Sequence, residues 1–146
     1  LTIMPNTPAK VLEGTTLFEK DNTLTTEELS YVQKMFESIG EVYIIDNYQM
    51  VAGGALSGCG PAFVYMFIEA LADGAVLNGL PRELAYKLAS QTVLGSAKMV
   101  KETQLHPGIL KDQVCSPGGI TIKGVKALEE NNFRNAVMEA IDRSKK

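Results

Sequence analysis

Six residues, Ser116-Pro117-Gly118-Gly119-Ile120-Thr121, have the types and spacing from which an anion site can be built. Pro117 restricts one backbone angle, and the two glycines reach conformations closed to other residues. Thr121 stands before the apolar run Ile122 to Leu128, where a helix N-cap belongs. The N–H groups of Gly118, Gly119 and Ile120 would then gather at a helix N-terminus, a ready site for a small anion such as a carboxylate. The same residues also make a tight turn that only reverses the chain. From these six residues alone, both readings stand.

Other chemistry-bearing residues are sparse. A single histidine, His106, precedes Pro107-Gly108 and reads as a turn or interface residue rather than an acid or base. Cys59 and Cys115 form no CxxC, and with one histidine they fall short of the four ligands of a structural zinc site, so no metal is expected. Without a secretory signal at its start, the chain is expected to be cytoplasmic, with reduced thiols that serve packing. Lys111 and Asp112 belong to a solvated or interface face. A net charge of −3 with interspersed signs offers no basic patch, so nucleic acid is not an expected partner.

Two kinds of element must position these residues. Residues 1–46 read as strand, strand, helix, strand. Leu1 to Met4 ends at Pro5-Asn6-Thr7-Pro8, and Gly14 to Phe18 can form a second strand. Thr25 and Glu28 make a capping box before Leu29, Val32, Met35, Phe36 and Ile39 at helical spacing, with Gly40 as the stop. Glu41 to Ile45 is a third strand. This is the last part of an α/β sheet, and the opening Leu-Thr-Ile-Met-Pro, which reads as mid-strand, points to a fragment of a longer chain.

From Asp46 the pattern becomes helix after helix. Asp46 to Leu56 carries Ala52, Gly53, Gly54 and Ala55, which permit close backbone approach. Ser57-Gly58-Cys59-Gly60 is expected to break this helix, with Pro61 in the first turn of the next. Pro61 to Leu77 is apolar almost all round, with only Glu69 and Asp73 charged. Too short and too acidic for a membrane span, it reads as a helix buried in a subunit interface, with those acids pairing across a dimer. Pro81 to about Glu102, Ile109 to Val114, Thr121 to Glu130 and Asn132 to Arg143 complete the helices. The fold class expected is mainly α, preceded by the last βαβ-type elements of a Rossmann-like α/β domain.

The stretch His106 to Thr121, continuing through Gly124, Leu128 and Glu129, closely resembles the signature of pyrroline-5-carboxylate reductases. Met4-Pro5-Asn6-Thr7-Pro8, Ala55 to Ala62, and Ala70 to Gly74 with Gly79-Leu80-Pro81 agree in order and spacing. The resemblance covers essentially the whole chain. It implies reduction of a cyclic imine carboxylate to proline with NADPH or NADH, the last step of proline biosynthesis. It implies that residues 1–46 are the end of a dinucleotide-binding domain. Residues 47–146 would be an all-helical domain that interlocks in a homodimer, or in a higher homo-oligomer of dimers.

Ser116, Gly118 and Gly119 would then hold the substrate carboxylate, while Thr121 contacts the ring nitrogen and relays its proton. Met4, Pro5 and Asn6 would approach the nicotinamide-ribose part of the cofactor, at a strand end where α/β sheets bind ligands; an ordinary proline-punctuated turn is the other reading of that segment. The family usually has serine where this chain has Cys59, so that position is read as a packing residue as much as a polar contact. No GxGxxG occurs in the 146 residues, so the chain alone is not expected to bind the dinucleotide tightly or to turn over.

Two other classes compete with this reading. One is a non-catalytic helical dimerisation module that keeps a carboxylate-binding loop. The other is the helical domain of a β-hydroxyacid dehydrogenase, for which Lys87 and Lys98 lack motif context.

Overall fold

Strand pairing begins with two glycines. In the computed structural model, which describes residues 1–145, β2 (Gly14–Glu19) and β3 (Gly40–Ile45) run parallel with Gly14 opposite Gly40. Gly40 has φ +148°, and a Cβ there would overlap the Gly14 backbone, so only glycine allows this approach. Parallel strands need a crossover, which α1 (Thr26–Glu37) provides. Its capping box forms as the spacing predicts: Thr25 Oγ1 accepts from the Glu28 N–H, and the Glu28 carboxylate accepts from the Thr25 N–H. Phe36 of α1 meets the fully buried Phe18 of β2 edge-on, with ring centroids 5.5 Å apart. A two-residue strand, β1 (Ile3–Met4), adds antiparallel to β2, completing the order β1-β2-β3. Its carboxyl end therefore lies beside the amino ends of β2 and β3.

The chain divides into two compact units, with boundaries inside two helices. The first holds residues 1–64 and the chain from Val137 onward; the second is Tyr65–Ala136. In the first unit, a 3-10 turn at Asn47–Gln49 leads into α2 (Met50–Gly54). Its glycines do pack closely: Cβ atoms at Gly53 would lie 2.8 Å from Leu17 Cδ1 and 3.1 Å from Ile45 Cδ1, and one at Gly54 would overlap Met4 Sδ.

The expected break at Ser57-Gly58-Cys59-Gly60 does not occur. A π turn, Ala55–Cys59, carries the helix without interruption into α3 (Gly60–Leu77), and Pro61 lies within a continuous rod. The widened turn makes room for the proline ring, which would clash with the carbonyl four residues back in a regular helix. By length and composition alone, the 31-residue rod Asn47–Leu77 is long and apolar enough to cross a membrane.

In the second unit, Asn78-Gly79-Leu80 turns α3 into α4 (Arg82–Thr103), with Gly79 at φ +96° and the Leu80 N–H donating to the Ala75 carbonyl. The buried centre is three alanines, Ala72, Ala85 and Ala89, ringed by Ile68, Ala75, Val76 and Leu80. Small residues let the helices approach closely but bury little apolar area. Ala72 is the one fully buried residue of α3, while Tyr65, Met66 and Leu77 are exposed. Within this single chain, the expected burial of α3 on all sides is therefore absent. Asp73 pairs with Arg82 rather than waiting for a partner subunit, and Glu69 is exposed. The unit continues with α5 (Pro107–Gln113) and α6 (Ile120–Glu130), and α7 (Phe133–Arg143) starts in it, with Phe133 tilted against Phe67 at 5.7 Å.

Candidate functional site

The loop between α5 and α6 is built by local rules. The Val114 and Cys115 N–H groups donate to the Lys111 and Asp112 carbonyls and close α5. The Gly119 N–H then donates to the Ser116 carbonyl at 3.0 Å, closing a four-residue turn. Pro117 occupies its second position and Gly118, with φ +70°, its third, which is the type II pattern. Gly119 is extended, at φ −68° and ψ 174°, and serves as the N-cap of α6. Any residue can adopt those angles; glycine leaves the Ser116 hydroxyl in place, since a Cβ would overlap Ser116 Oγ and displace it. The turn thus places the Ser116 hydroxyl directly over the start of the helix.

Two expectations change here. Thr121 is not the N-cap: the chain is already helical at Ile120, because the turn ends one residue earlier, and Thr121 is the second helical residue. The Gly119 N–H is not available to an anion, since the turn uses it. Neither change closes the site. No side chain caps α6 and no acidic residue lies in its first turn. The first-turn amides of a helix have no intrahelical acceptor, so those of Ile120, Thr121 and Ile122 are the donors at this end. The Gly118 N–H takes no part in the closing bond of the turn. Ser116, Gly118 and Thr121 are exposed, with Gly119 half-buried beneath them.

His106 has a structural task. It is the N-cap of α5, its Nδ1 accepting from the Gly108 N–H at 3.0 Å, with Pro107 at the first helical position. Lys111 and Asp112 form an ion pair at the end of α5, and the Asp112 carboxylate holds the Lys111 ammonium above its usual range. Cys59, in the π turn, and Cys115 are both half-buried free thiols. A cleft of about 370 Å³ between α4 and α5, lined by residues such as Met99, Val100, Leu110 and Val114, contains none of the loop residues from Ser116 to Thr121.

Met4, Pro5 and Asn6 belong to the other unit. Met4 sits in β1 opposite Leu17, with its thioether against Gly54; Pro5 is exposed. Asn6 is half-buried, and both ends of its amide are engaged: Oδ1 accepts from the Thr15 N–H at 2.9 Å, and Nδ2 donates to the Ser57 carbonyl at 3.0 Å. Sequence reasoning missed Thr15 and the Ser57 carbonyl as partners. The available signal was Pro61, four residues after Ser57, which has no N–H to donate to it.

Comparison with known proteins agrees with this arrangement of elements. The family model for pyrroline-5-carboxylate reductase dimerisation matches residues 47–146. The chain is 52% identical over 138 residues to pyrroline-5-carboxylate reductase of Escherichia coli K12, covering 94% of this chain and 51% of that protein. It is 50% identical over 139 residues to the Arabidopsis thaliana protein of the same name, covering 95% and 50%. Among solved structures, Plasmodium falciparum pyrroline carboxylate reductase with NADP bound superimposes with a TM-score of 0.91 at 43% identity, covering 97% of this chain and 58% of that one. The chain spans about half the length of the curated relatives it matches. On the match through its helical region, the chain belongs to the pyrroline-5-carboxylate reductase family.

Proposed function

We propose that this chain is the substrate-binding and dimerising portion of an enzyme that reduces 1-pyrroline-5-carboxylate to L-proline. The observation that carries the reading is the start of α6: a type II turn that sets the Ser116 hydroxyl over a helix N-terminus with no side-chain cap and no acid of its own.

The substrate carries a carboxylate beside its C=N bond. Ser116 Oγ, the Gly118 N–H and the first-turn amides of α6 hold that carboxylate; Gly119 contributes by its lack of a side chain, which leaves the space open. The helix terminus adds about 0.3–1 kcal/mol for an anion, whereas each hydrogen bond to a charged group contributes about 1.5–3 kcal/mol, so the discrete donors dominate. The Thr121 hydroxyl, one residue inside the helix, hydrogen-bonds the ring nitrogen and relays to it the proton that completes the secondary amine. With the ring fixed at two points, one face of the imine carbon is presented for reduction, an orienting role worth more than any single contact.

When bound, a reduced nicotinamide supplies the hydride. Met4, Pro5 and Asn6 hold its nicotinamide-ribose end. Because the Asn6 amide is already engaged on both sides, Asn6 contributes through its backbone. The NADP-bound Plasmodium falciparum relative supports a nicotinamide cofactor, and NADPH and NADH both fit the reading. Residues 1–46 are assigned to the dinucleotide-binding domain and residues 47–146 to the helical domain. The apolar surface of α3 and α4, including Tyr65, Met66 and Leu94, is assigned to a homodimer interface rather than to a membrane, and the location to the cytoplasm. The sign-mixed surface supports no nucleic-acid partner.

Calorimetric titration with L-proline tests the carboxylate site directly, without cofactor. Saturable binding that Ser116→Ala weakens is expected; no binding, or binding indifferent to Ser116, overturns the assignment. Proline binding without imine reduction, in protein that also contains a dinucleotide-binding domain, would favour the non-catalytic module. The 146-residue chain by itself is expected to bind the dinucleotide weakly and not to turn over.

A further inference from the structure

The rod of residues 47–77 carries Pro61 in its interior, and this removes one backbone donor from the helix. In a regular helix the Ser57 carbonyl accepts from the N–H of residue 61, which proline lacks. The π turn Ala55–Cys59 relieves the steric clash. The donor comes from 51 residues away: Asn6 Nδ2, at 3.0 Å. The opposite end of the same planar amide accepts from the Thr15 N–H at the start of β2, at 2.9 Å. Asn6, Thr15 and Ser57 are all half-buried. Met4, two residues before Asn6, is set against Gly54 in the turn just before the π segment.

We propose that Asn6 is a positioning residue. Its side chain locks the loop after β1 to the helix at the carbonyl whose i+4 donor Pro61 removes, and so fixes where Met4 and Pro5 stand. It does not itself bind a ligand through its amide. The consequence for cofactor handling rests on the reading that this loop faces the nicotinamide; the clamp does not.

Two substitutions separate the arms of the amide. Asn6→Asp keeps an acceptor for Thr15 but removes the donor to Ser57. Pro61→Ala gives Ser57 a helical N–H and removes its need for Asn6. In the assembled enzyme, Asn6→Asp is expected to lower Tm by several degrees when Pro61 is present and by less than half as much in the Pro61→Ala background. It should raise the cofactor KM by about tenfold while the KM for the cyclic imine stays within about twofold, a split that general destabilisation does not produce. In the unsubstituted protein, the Asn6 side-chain N–H should exchange slowly with solvent by NMR.

Equal Tm losses in the two backgrounds, or fast exchange of the Asn6 amide, overturn the clamp. An unchanged cofactor KM in Asn6→Asp overturns its positioning role. If the unsubstituted protein reduces no imine, the functional reading fails instead, and the Tm comparison and amide exchange still decide the clamp. If the variants do not fold, the exchange measurement on the unsubstituted protein decides it.

Discussion

Replacing Gly119 by alanine isolates what the loop does from how it folds. The backbone at Gly119, φ −68° and ψ 174°, suits alanine, so the substitution stores no dihedral strain. The new Cβ would overlap Ser116 Oγ, and it would lie 3.1 Å from the Ser116 carbonyl. Ser116 is exposed and its hydroxyl can rotate away, so the folding cost stays below about 1 kcal/mol, the scale of one off-rotamer side chain. What is lost is the placement of the hydroxyl over the helix start. A hydrogen bond to a carboxylate is worth at least about 1.5 kcal/mol, so proline affinity should fall by roughly tenfold. Calorimetry gives the affinity and a thermal melt gives the stability. The decisive comparison is the double variant. Once Ser116→Ala has removed the hydroxyl, adding Gly119→Ala should weaken binding little further, because both act through the same atom. Additive losses in that cycle, or a large drop in Tm with unchanged affinity, would refute the steric argument.

Thr121 is the second helical residue and not the cap, so Thr121→Val should leave Tm nearly unchanged yet lower kcat by at least about tenfold, with Thr121→Ser retaining most of it; equal kcat in the valine variant removes Thr121 from the mechanism. Gly40→Ala combines a positive φ with overlap of the Gly14 backbone, so a loss of about 3 kcal/mol or more is expected by chemical denaturation. A change below about 1 kcal/mol would mean that the pairing of β2 with β3 is looser than it stands here. Glu28 is held below the ordinary carboxylate range by the N–H and hydroxyl of Thr25. Its contribution is therefore present above the unfolded pKa and lost as pH falls through the lowered value. Glu28→Gln should flatten part of the acid limb of a Tm–pH profile; an identical limb argues that the capping pair is not formed in solution.

What could be read directly from the sequence was what neighbouring residues decide among themselves. The Thr25–Glu28 capping box, the stop at Asn78-Gly79 and the turn at Pro117-Gly118 all depend on groups within four residues of one another, and each is where its residues predict. The small residues at Gly53 and Gly54 announced a close approach, although not its partners, Leu17, Ile45 and Met4. Only the tertiary structure decided the rest. Pro61 reads as a helix start because a proline removes a backbone donor and clashes with the preceding turn; the rod continues through it with a π turn at Ala55–Cys59, and Asn6, distant in sequence, donates to the Ser57 carbonyl. The Thr121 miss was local instead: it reads as an N-cap by residue type, yet Gly119 takes that place because the four-residue turn closes on Ser116 and sets the chain on its helical path one residue early. Local rules state what each backbone group needs, and long-range packing determines which group meets that need.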